Sequence, residues 1–160
     1  MSIGATSSAI AFIRDALAPV LLGLKWELLT ADSDFAAWNL LFTTGESGIC
    51  IISWAGDSTQ AQALRSLVTN AKISITLSGR RHLQDPASSK LGADGVSTRL
   101  YEVADRIRAA MLSISLPAEF VPEAGAEVPV YGGAVPVVSP EGIPLDALRQ
   151  SWSFELKESF

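Results

Sequence analysis

The sequence predicts an α+β domain in which two main helices pack on one face of a mostly antiparallel sheet of about four strands. Three segments carry this prediction. Residues 100–114 place apolar side chains at helical spacing, whereas residues 72–78 and 148–156 alternate with the period of a strand. The predicted order along the chain is helix, three strands, helix, irregular segment and strand, which is the arrangement of an α+β domain.

The first helix is predicted to follow Ser7 or Ser8, since either serine can cap a helix. Its apolar positions recur at spacings of three and four, at Ile10, Ile13, Leu17, Val20, Leu21 and Leu24. Pro19 lies late in this pattern. Because proline removes a helical hydrogen bond, we expect the helix either to kink there or to end and restart.

A hairpin of two strands is predicted at residues 38–42 and 49–54, with Gly45 and Gly48 in the connecting turn. The second strand is apolar at almost every position, and we expect it to lie centrally in the sheet. Cys50 lies in this apolar run, so the chain's single cysteine is interpreted as a small buried hydrophobe.

The next two segments are predicted to be a short helix and a strand. Residues 59–68 are interpreted as the helix, with Leu64, Leu67 and Val68 facing inward. Residues 72–78 form the strand, with one covered face and one polar face. The covered face holds Ile73, Ile75 and Leu77, and the polar face holds Ser74, Thr76 and Ser78.

The second main helix is predicted to follow a cap at Ser97 or Thr98 and to end before Pro117. Its inward side consists of Leu100, Val103, Ala104, Ile107, Met111 and Ile114. Residues 82–95, which precede the cap, are rich in serine, glycine, aspartate and proline and are interpreted as an exposed loop.

Residues 117–144 are interpreted as an extended arm or an irregular edge hairpin within a single domain of residues 1–160. The segment carries six prolines, which confine it to edges and turns, yet it is too apolar for a free linker. We therefore expect its apolar side chains to be covered by a surface. They are Phe120, Val128, Val130, Tyr131, Val135, Val137 and Val138.

The closing segment places Leu148, Gln150, Trp152, Phe154 and Leu156 on one face. A chain end with such a face stays ordered only when it is paired, so we predict a last strand that returns to the sheet and buries Trp152 and Phe154. Trp38, Trp54 and Trp152 all fall in predicted strands and are interpreted as core residues rather than stacking platforms.

Composition and charge exclude several classes of protein. A chain with 48% hydrophobic and 18% charged residues is not intrinsically disordered. The net charge of −5 opposes sequence-specific nucleic-acid binding, and the only tight basic cluster is Arg80-Arg81-His82. The apolar residues near the start contain Pro19 and stop at Lys25, so we expect neither a secretory signal nor a membrane-spanning segment.

The polar residues predict no catalytic, cofactor-binding or metal site. His82 is the only histidine, which excludes a multi-histidine metal site, and Asp85 nearby adds no nucleophile. The remaining candidates are assigned to turns and caps: Asp32, Asp34, Asp57, and the glycines of 92–95 and 132–133. We therefore expect no enzyme.

Four segments resemble, in kind and order, the elements of the tail terminator (tail completion) proteins of long-tailed bacteriophages. They are a helix at 8–17, a strand at 71–77, a helix at 100–112 and a last strand at 148–156. The sequence Pro140-Glu-Gly-Ile-Pro-Leu-Asp146 is also similar to segments of phage structural proteins. The resemblance covers nearly the whole chain and contains no signature motif.

The resemblance implies a non-enzymatic virion protein of the tail or neck, assembled in the host cytoplasm. Such proteins form a ring, expected here to be a homohexamer, that caps the tail tube and joins it to the connector near the head. The implied partners are other copies of the chain, the tail tube protein and the connector protein, without sequence-specific nucleic acid or membrane. The acidic charge suits a channel through which DNA slides. The subunit interface is predicted to include Phe120, Val130, Tyr131, Val135 and Val137.

Two alternatives remain open at this stage. The chain is either another head–tail connector or minor tail protein built on a similar ring, or a monomeric α+β ligand-binding module with the proline-rich segment folded over a pocket. The oligomeric state in solution separates the module from the ring proteins.

We predict that His82→Ala leaves folding and assembly unchanged, because the residue lies in a predicted polar loop without catalytic partners. Circular dichroism and light scattering of the variant and the parent protein measure both properties. Loss of activity or infectivity in a folded variant would contradict the prediction.

Overall fold

A computed structural model of the chain describes residues 5–22, 26–30, 48–80, 100–137 and 145–159. Within these ranges the elements are α1 (Ala5–Leu22), β1 (Trp26–Thr30), β2 (Gly48–Ala63), β3 (Ser66–Arg80), α2 (Leu100–Leu112), a 3-10 helix (Ala118–Phe120), β4 (Val130–Val137) and β5 (Leu145–Ser159). The strands form one sheet in the order β1-β2-β3-β5-β4. β1 is parallel to β2, and the other neighbouring pairs are antiparallel. The predicted α+β fold with a mostly antiparallel sheet is confirmed.

Both helices pack on the same face of the sheet, which we call the inner face. α1 buries every fourth residue, at Ala5, Ala9, Ile13, Leu17 and Leu21, and α2 buries Leu100, Val103, Ala104, Ile107 and Met111. The sheet contributes Cys50, Ile52, Ile73, Ile75, Leu77, Trp152, Phe154 and Leu156 to the same cluster. The predicted inward sides of α2, of residues 72–78 and of the closing strand are therefore confirmed.

The closing strand β5 lies between β3 and β4, and its aromatic side chains are buried as predicted. Trp152 is 1% exposed and Phe154 is 2% exposed. Gln150 is a buried polar residue on this apolar face, and hydrogen bonds satisfy both ends of its amide. Its Nε2 donates to the carbonyl oxygen of Ala104 in α2 at 2.9 Å, and its Oε1 accepts from Trp152 Nε1 at 3.1 Å.

β5 also contacts the first helix. The backbone N–H of Ala5, in the first turn of α1, donates to the carboxylate of Glu158 near the end of β5. A carboxylate at this position is favourable because the first N–H groups of a helix lack partners within the helix and carry partial positive charge. This hydrogen bond therefore joins the start of α1 to the closing strand.

Helix α1 differs from the sequence prediction at its start and at Pro19. Ser7 and Ser8 lie inside the helix, since it already includes Ala5, so neither serine is the cap. The helix continues past the exposed Pro19 to Leu22 rather than ending and restarting there. By length and composition alone, α1 is also a candidate membrane span, which the sequence analysis did not expect. In the fold its buried stripe lies against the sheet.

The predicted short helix at residues 59–68 is wrong. These residues form the ends of β2 and β3 and the turn between them at Leu64 and Arg65. Strand pairing with β3, which is itself paired with β5, overrides the local helical spacing. The turn contains no glycine, proline, asparagine or aspartate, so the usual turn signals are missing.

Two further expectations about the sheet need correction. Trp54 lies on the inner face but is 55% exposed, so it is not a core residue. The face opposite the helices, the outer face, is not simply polar and open: Thr76 and Ser78 are fully buried, as are Ile49 and Ile51 beside them. β2 is flanked by β1 and β3, which confirms its central position, but β1 was not predicted.

Several predicted features lie outside the described residues. They are the strand at 38–42, the loop at 82–95, the caps Ser97 and Thr98, the end of the first helix at Leu24, and the side chains of Asp32, Asp34, Arg80, Arg81, His82 and Asp85.

Trp152→Ala is expected to lower the free energy of unfolding by ~3–5 kcal/mol, because it removes a fully buried aromatic side chain and leaves Gln150 Oε1 without its donor. Denaturant titration measures the change. The neighbouring exposed Ser151→Ala is the control and should stay within ~0.5 kcal/mol of the parent protein. A loss below ~1 kcal/mol for Trp152→Ala would contradict this account of the core.

Burial without a charged partner raises the pKa of the Cys50 thiol from 9.0 to about 12. Above pH 9 the unfolded chain therefore loses this proton while the native chain keeps it, so the free energy of unfolding falls as pH rises, by up to ~1.4 kcal/mol per pH unit from this group. We expect Cys50→Ala to lose less stability than the parent protein between about pH 8 and pH 10.5. Equal pH slopes in the two denaturant series would contradict the prediction.

Candidate interaction surface

Strand β4 is the edge strand of the sheet and pairs only with β5 among the described residues. Its ladder is interrupted between Tyr131 and Ala134, where Gly132 and Gly133 lie opposite the single residue Ser151. Gly133 has a φ of 103°, and a Cβ on Gly132 would lie 3.2 Å from the Ser151 carbonyl oxygen, so glycine fits both positions. The predicted turn at 132–133 is thus a β-bulge within the strand.

Two of the five predicted interface residues contact the core of their own chain. The Tyr131 ring lies 4.9 Å from the Trp152 ring, measured between centroids, and the Arg108 guanidinium of α2 lies 5.8 Å from the Tyr131 centroid. Phe120, in the 3-10 helix, is half-buried against the same core. These two aromatics have an intramolecular role that the sequence did not reveal.

The valines of this segment remain accessible. Val130 is 62% exposed, Val135 is 56% exposed and Val128 is 43% exposed. The register places Val130 and Val135 on the outer face, opposite Ser153 and Arg149, together with the half-buried Val137. We call Val128, Val130 and Val135 the β4 patch. It is an apolar surface at a sheet edge that no other described strand pairs, and such an edge offers backbone groups to an incoming strand or loop.

The end of the hairpin formed by β2 and β3 is a second exposed surface, on the part of the sheet away from β4. Every side chain from Asp57 to Arg65 is exposed, so neither helix covers this end of the hairpin. Leu64, at the turn, is 93% exposed. Within the described ranges, β1 pairs with β2 only at Gly48–Ile52, so the rest of that edge carries no neighbouring strand there.

A pocket of about 410 Å³ lies beside β5, where β4 no longer pairs with it. We call it the edge pocket. Its lining combines apolar side chains with two carboxylates and comprises Asn70, Glu123, Ala124, Gly125, Ala126, Val128, Val130, Ser153, Phe154 and Glu155. The sequence analysis did not identify it, because the lining comes from β3, β5, the first residue of β4 and the segment before β4.

The described residues include side chains of the types that bind metals or take part in catalysis. They contain no cluster of three or more metal-ligating side chains. Cys50 is fully buried, and Asp57 is exposed on the hairpin and forms no ion pair with another described residue. Glu102 has one buried carboxylate oxygen without a hydrogen-bond partner among the residues that the structure covers.

Comparison with known proteins gives a likeness of fold. No family model matches the chain, and no curated protein matches its sequence. The structure is similar to a chain of the virion of a native gene transfer agent (GTA) particle, with a TM-score of 0.50 and 11% identity. The alignment covers 98% of this chain and 99% of that chain. The likeness therefore extends over the complete arrangement of helices and strands rather than over one supersecondary unit.

Proposed function

We propose that this chain is a virion structural protein that forms a ring of identical subunits at the end of a phage-type tail, as a tail terminator. The observation that carries the proposal is the fold likeness to a chain of a gene transfer agent virion over 98% of this chain. The resemblance of the sequence to tail terminator proteins supports the same role from the order of its elements.

The surfaces of the sheet are compatible with a ring. A closed ring repeats one heterologous contact, so each subunit needs two different surfaces that face different neighbours. The β4 patch lies at one edge of the sheet, whereas the uncovered hairpin lies towards the other edge. These surfaces offer apolar side chains and strand edges that pair with no other described strand, and both features favour association with another chain.

As a tail terminator, the ring would contact two other virion proteins. We expect a homohexamer that caps the tail tube, with the tail tube protein on one side and a connector protein on the other. The net charge of −5 would limit adhesion of the ring to DNA passing through its channel. The virion, and the host cytoplasm during assembly, are the expected locations, and no enzymatic activity belongs to this role.

A monomeric ligand-binding module is the second candidate, and the edge pocket is the observation that favours it. Its volume of about 410 Å³ lies within the range of small-molecule sites, and apolar side chains provide much of its lining. The two functions predict different masses in solution. A ring subunit associates as its concentration rises, whereas the module stays monomeric.

We predict that the double variant Val130→Ser with Val135→Ser remains folded and loses self-association, because both side chains are exposed and neither belongs to the core. Tyr131 is left unchanged, since it packs against Trp152 and its replacement would also destabilise the fold. Light scattering over a concentration series measures association, and circular dichroism measures folding.

The matched control is Leu22→Ser with Leu112→Ser, which removes two exposed apolar side chains from the helices instead. We expect this control to associate like the parent protein. If the parent chain is monomeric at every concentration and also in the presence of tail tubes, the ring proposal is wrong. If both double variants associate normally, the β4 patch is not the interface.

A further inference from the structure

We propose that the hairpin tip of one copy, Leu64 with Arg65, docks into the edge pocket of a second copy. The inference rests on the proposed self-assembly and adds to it a specific contact between two defined surfaces. Its occupant is a segment of this same chain, because the hairpin tip supplies both kinds of side chain that the edge pocket is suited to bind.

The hairpin tip combines an apolar side chain with a cation. Leu64 is 93% exposed, and Arg65 beside it is exposed and forms no ion pair with any described residue. Arg65 also has a φ of 61°, a conformation that is uncommon for residues other than glycine. Pairing of β2 with β3 holds the backbone at the end of the hairpin, so docking has to order chiefly these two side chains.

The edge pocket offers the complementary surface. Apolar groups come from Ala126, Val128 and Val130, while Glu123 and Glu155 supply two carboxylates. Neither glutamate has an ion-pair partner among the residues that the structure describes. The exposed lysines of the outer face nearby, Lys72 and Lys157, do not neutralise them by direct contact. A leucine and an arginine together would satisfy both parts of the lining.

The hairpin tip cannot reach the edge pocket of its own chain. On β3, the pocket residue Asn70 lies opposite Glu155 of β5, and Arg65 precedes Asn70 by five residues along the hairpin. At about 3.4 Å per residue this separation is roughly 17 Å, which exceeds the length of an arginine side chain. The pocket also opens beside β5, whereas the hairpin's free edge belongs to β2. Docking therefore requires a second copy.

Such a contact joins two different surfaces and is repeatable. The hairpin tip of each subunit would enter the edge pocket of the next, while its own edge pocket accepts the tip of the preceding subunit. A head-to-tail contact of this kind closes into a ring when the rotation between neighbours allows it. Val130 lines the edge pocket and also belongs to the β4 patch, so the pocket adjoins the surface proposed above.

The test uses site-specific cross-linking between two full-length variants. Ala63→Cys, which leaves the adjacent Leu64 and Arg65 intact, is mixed with Ala124→Cys and treated with a short bifunctional maleimide. Ala124 is exposed and lines the edge pocket, and the buried native Cys50 does not compete for the reagent. We expect a covalent heterodimer in the mixture. The control replaces Ala63→Cys by Leu22→Cys, which places an accessible cysteine on α1 and should yield at least about tenfold less heterodimer.

Charge reversal provides the second measurement. Arg65→Glu and Glu123→Lys should each weaken self-association by about tenfold or more, because each change places like charges together at the contact. An equal mixture of the two variants should recover part of the loss, since the glutamate introduced at the hairpin tip of one variant then faces the lysine introduced in the edge pocket of the other. The cross-linking yields of the same variants should change in the same direction.

The outcomes separate this inference from the proposed function. If the two cysteine mixtures give equal yields of heterodimer, the docking proposal is wrong. The ring proposal is still supported in that case if the double variant of Val130 and Val135 loses self-association, because the subunits then associate through a different contact. A specific cross-link with no effect of that valine variant supports docking and removes the β4 patch from the interface. A specific cross-link that persists unchanged after charge reversal contradicts the ionic part of the proposal.

Discussion

Burial of the inner face of β5 is the constraint on which the other layers depend. Trp152 and Phe154 lie under the helices, and Gln150 links the strand to α2 through the carbonyl oxygen of Ala104. Glu158 accepts a hydrogen bond from Ala5 at the start of α1. Because β5 also pairs with β3 on one side and β4 on the other, one strand fixes both helices and its two neighbouring strands relative to one another.

The strands extend beyond the area that the two helices cover, and the uncovered part of the sheet forms the exposed surfaces. α1 and α2 bury the inner face around Ile75 and Trp152, but β2 and β3 continue past this region to the turn at Leu64 and Arg65. Uncovered strands of this kind are a hazard for a monomer because their edges pair readily with other chains. In a subunit of a larger assembly, the same edges become the sites of contact.

Two chains that are only 11% identical can share this fold for a physical reason. An α+β arrangement requires apolar side chains at the correct period and about the correct volume, and many sequences meet that requirement. Contacts with partners depend instead on particular surface groups, which need not be shared at this level of identity. The β4 patch and the edge pocket are therefore properties of this chain's own residues.

The sequence by itself determined the elements whose periodicity is local: α2, the alternating residues 72–78, and a closing strand with Trp152 on its buried face. It also indicated an apolar edge at Val130 and Val135.

Tertiary structure decided the rest, because a local period tells which side chains share a face and not what covers that face. Pairing with β3 converted a helical pattern at 59–68 into a hairpin, the limited extent of the helices left Trp54 exposed, and packing across the chain placed Tyr131 against Trp152. The edge pocket depends on the same long-range arrangement, since its lining is brought together from β3, β5, the start of β4 and the segment before it.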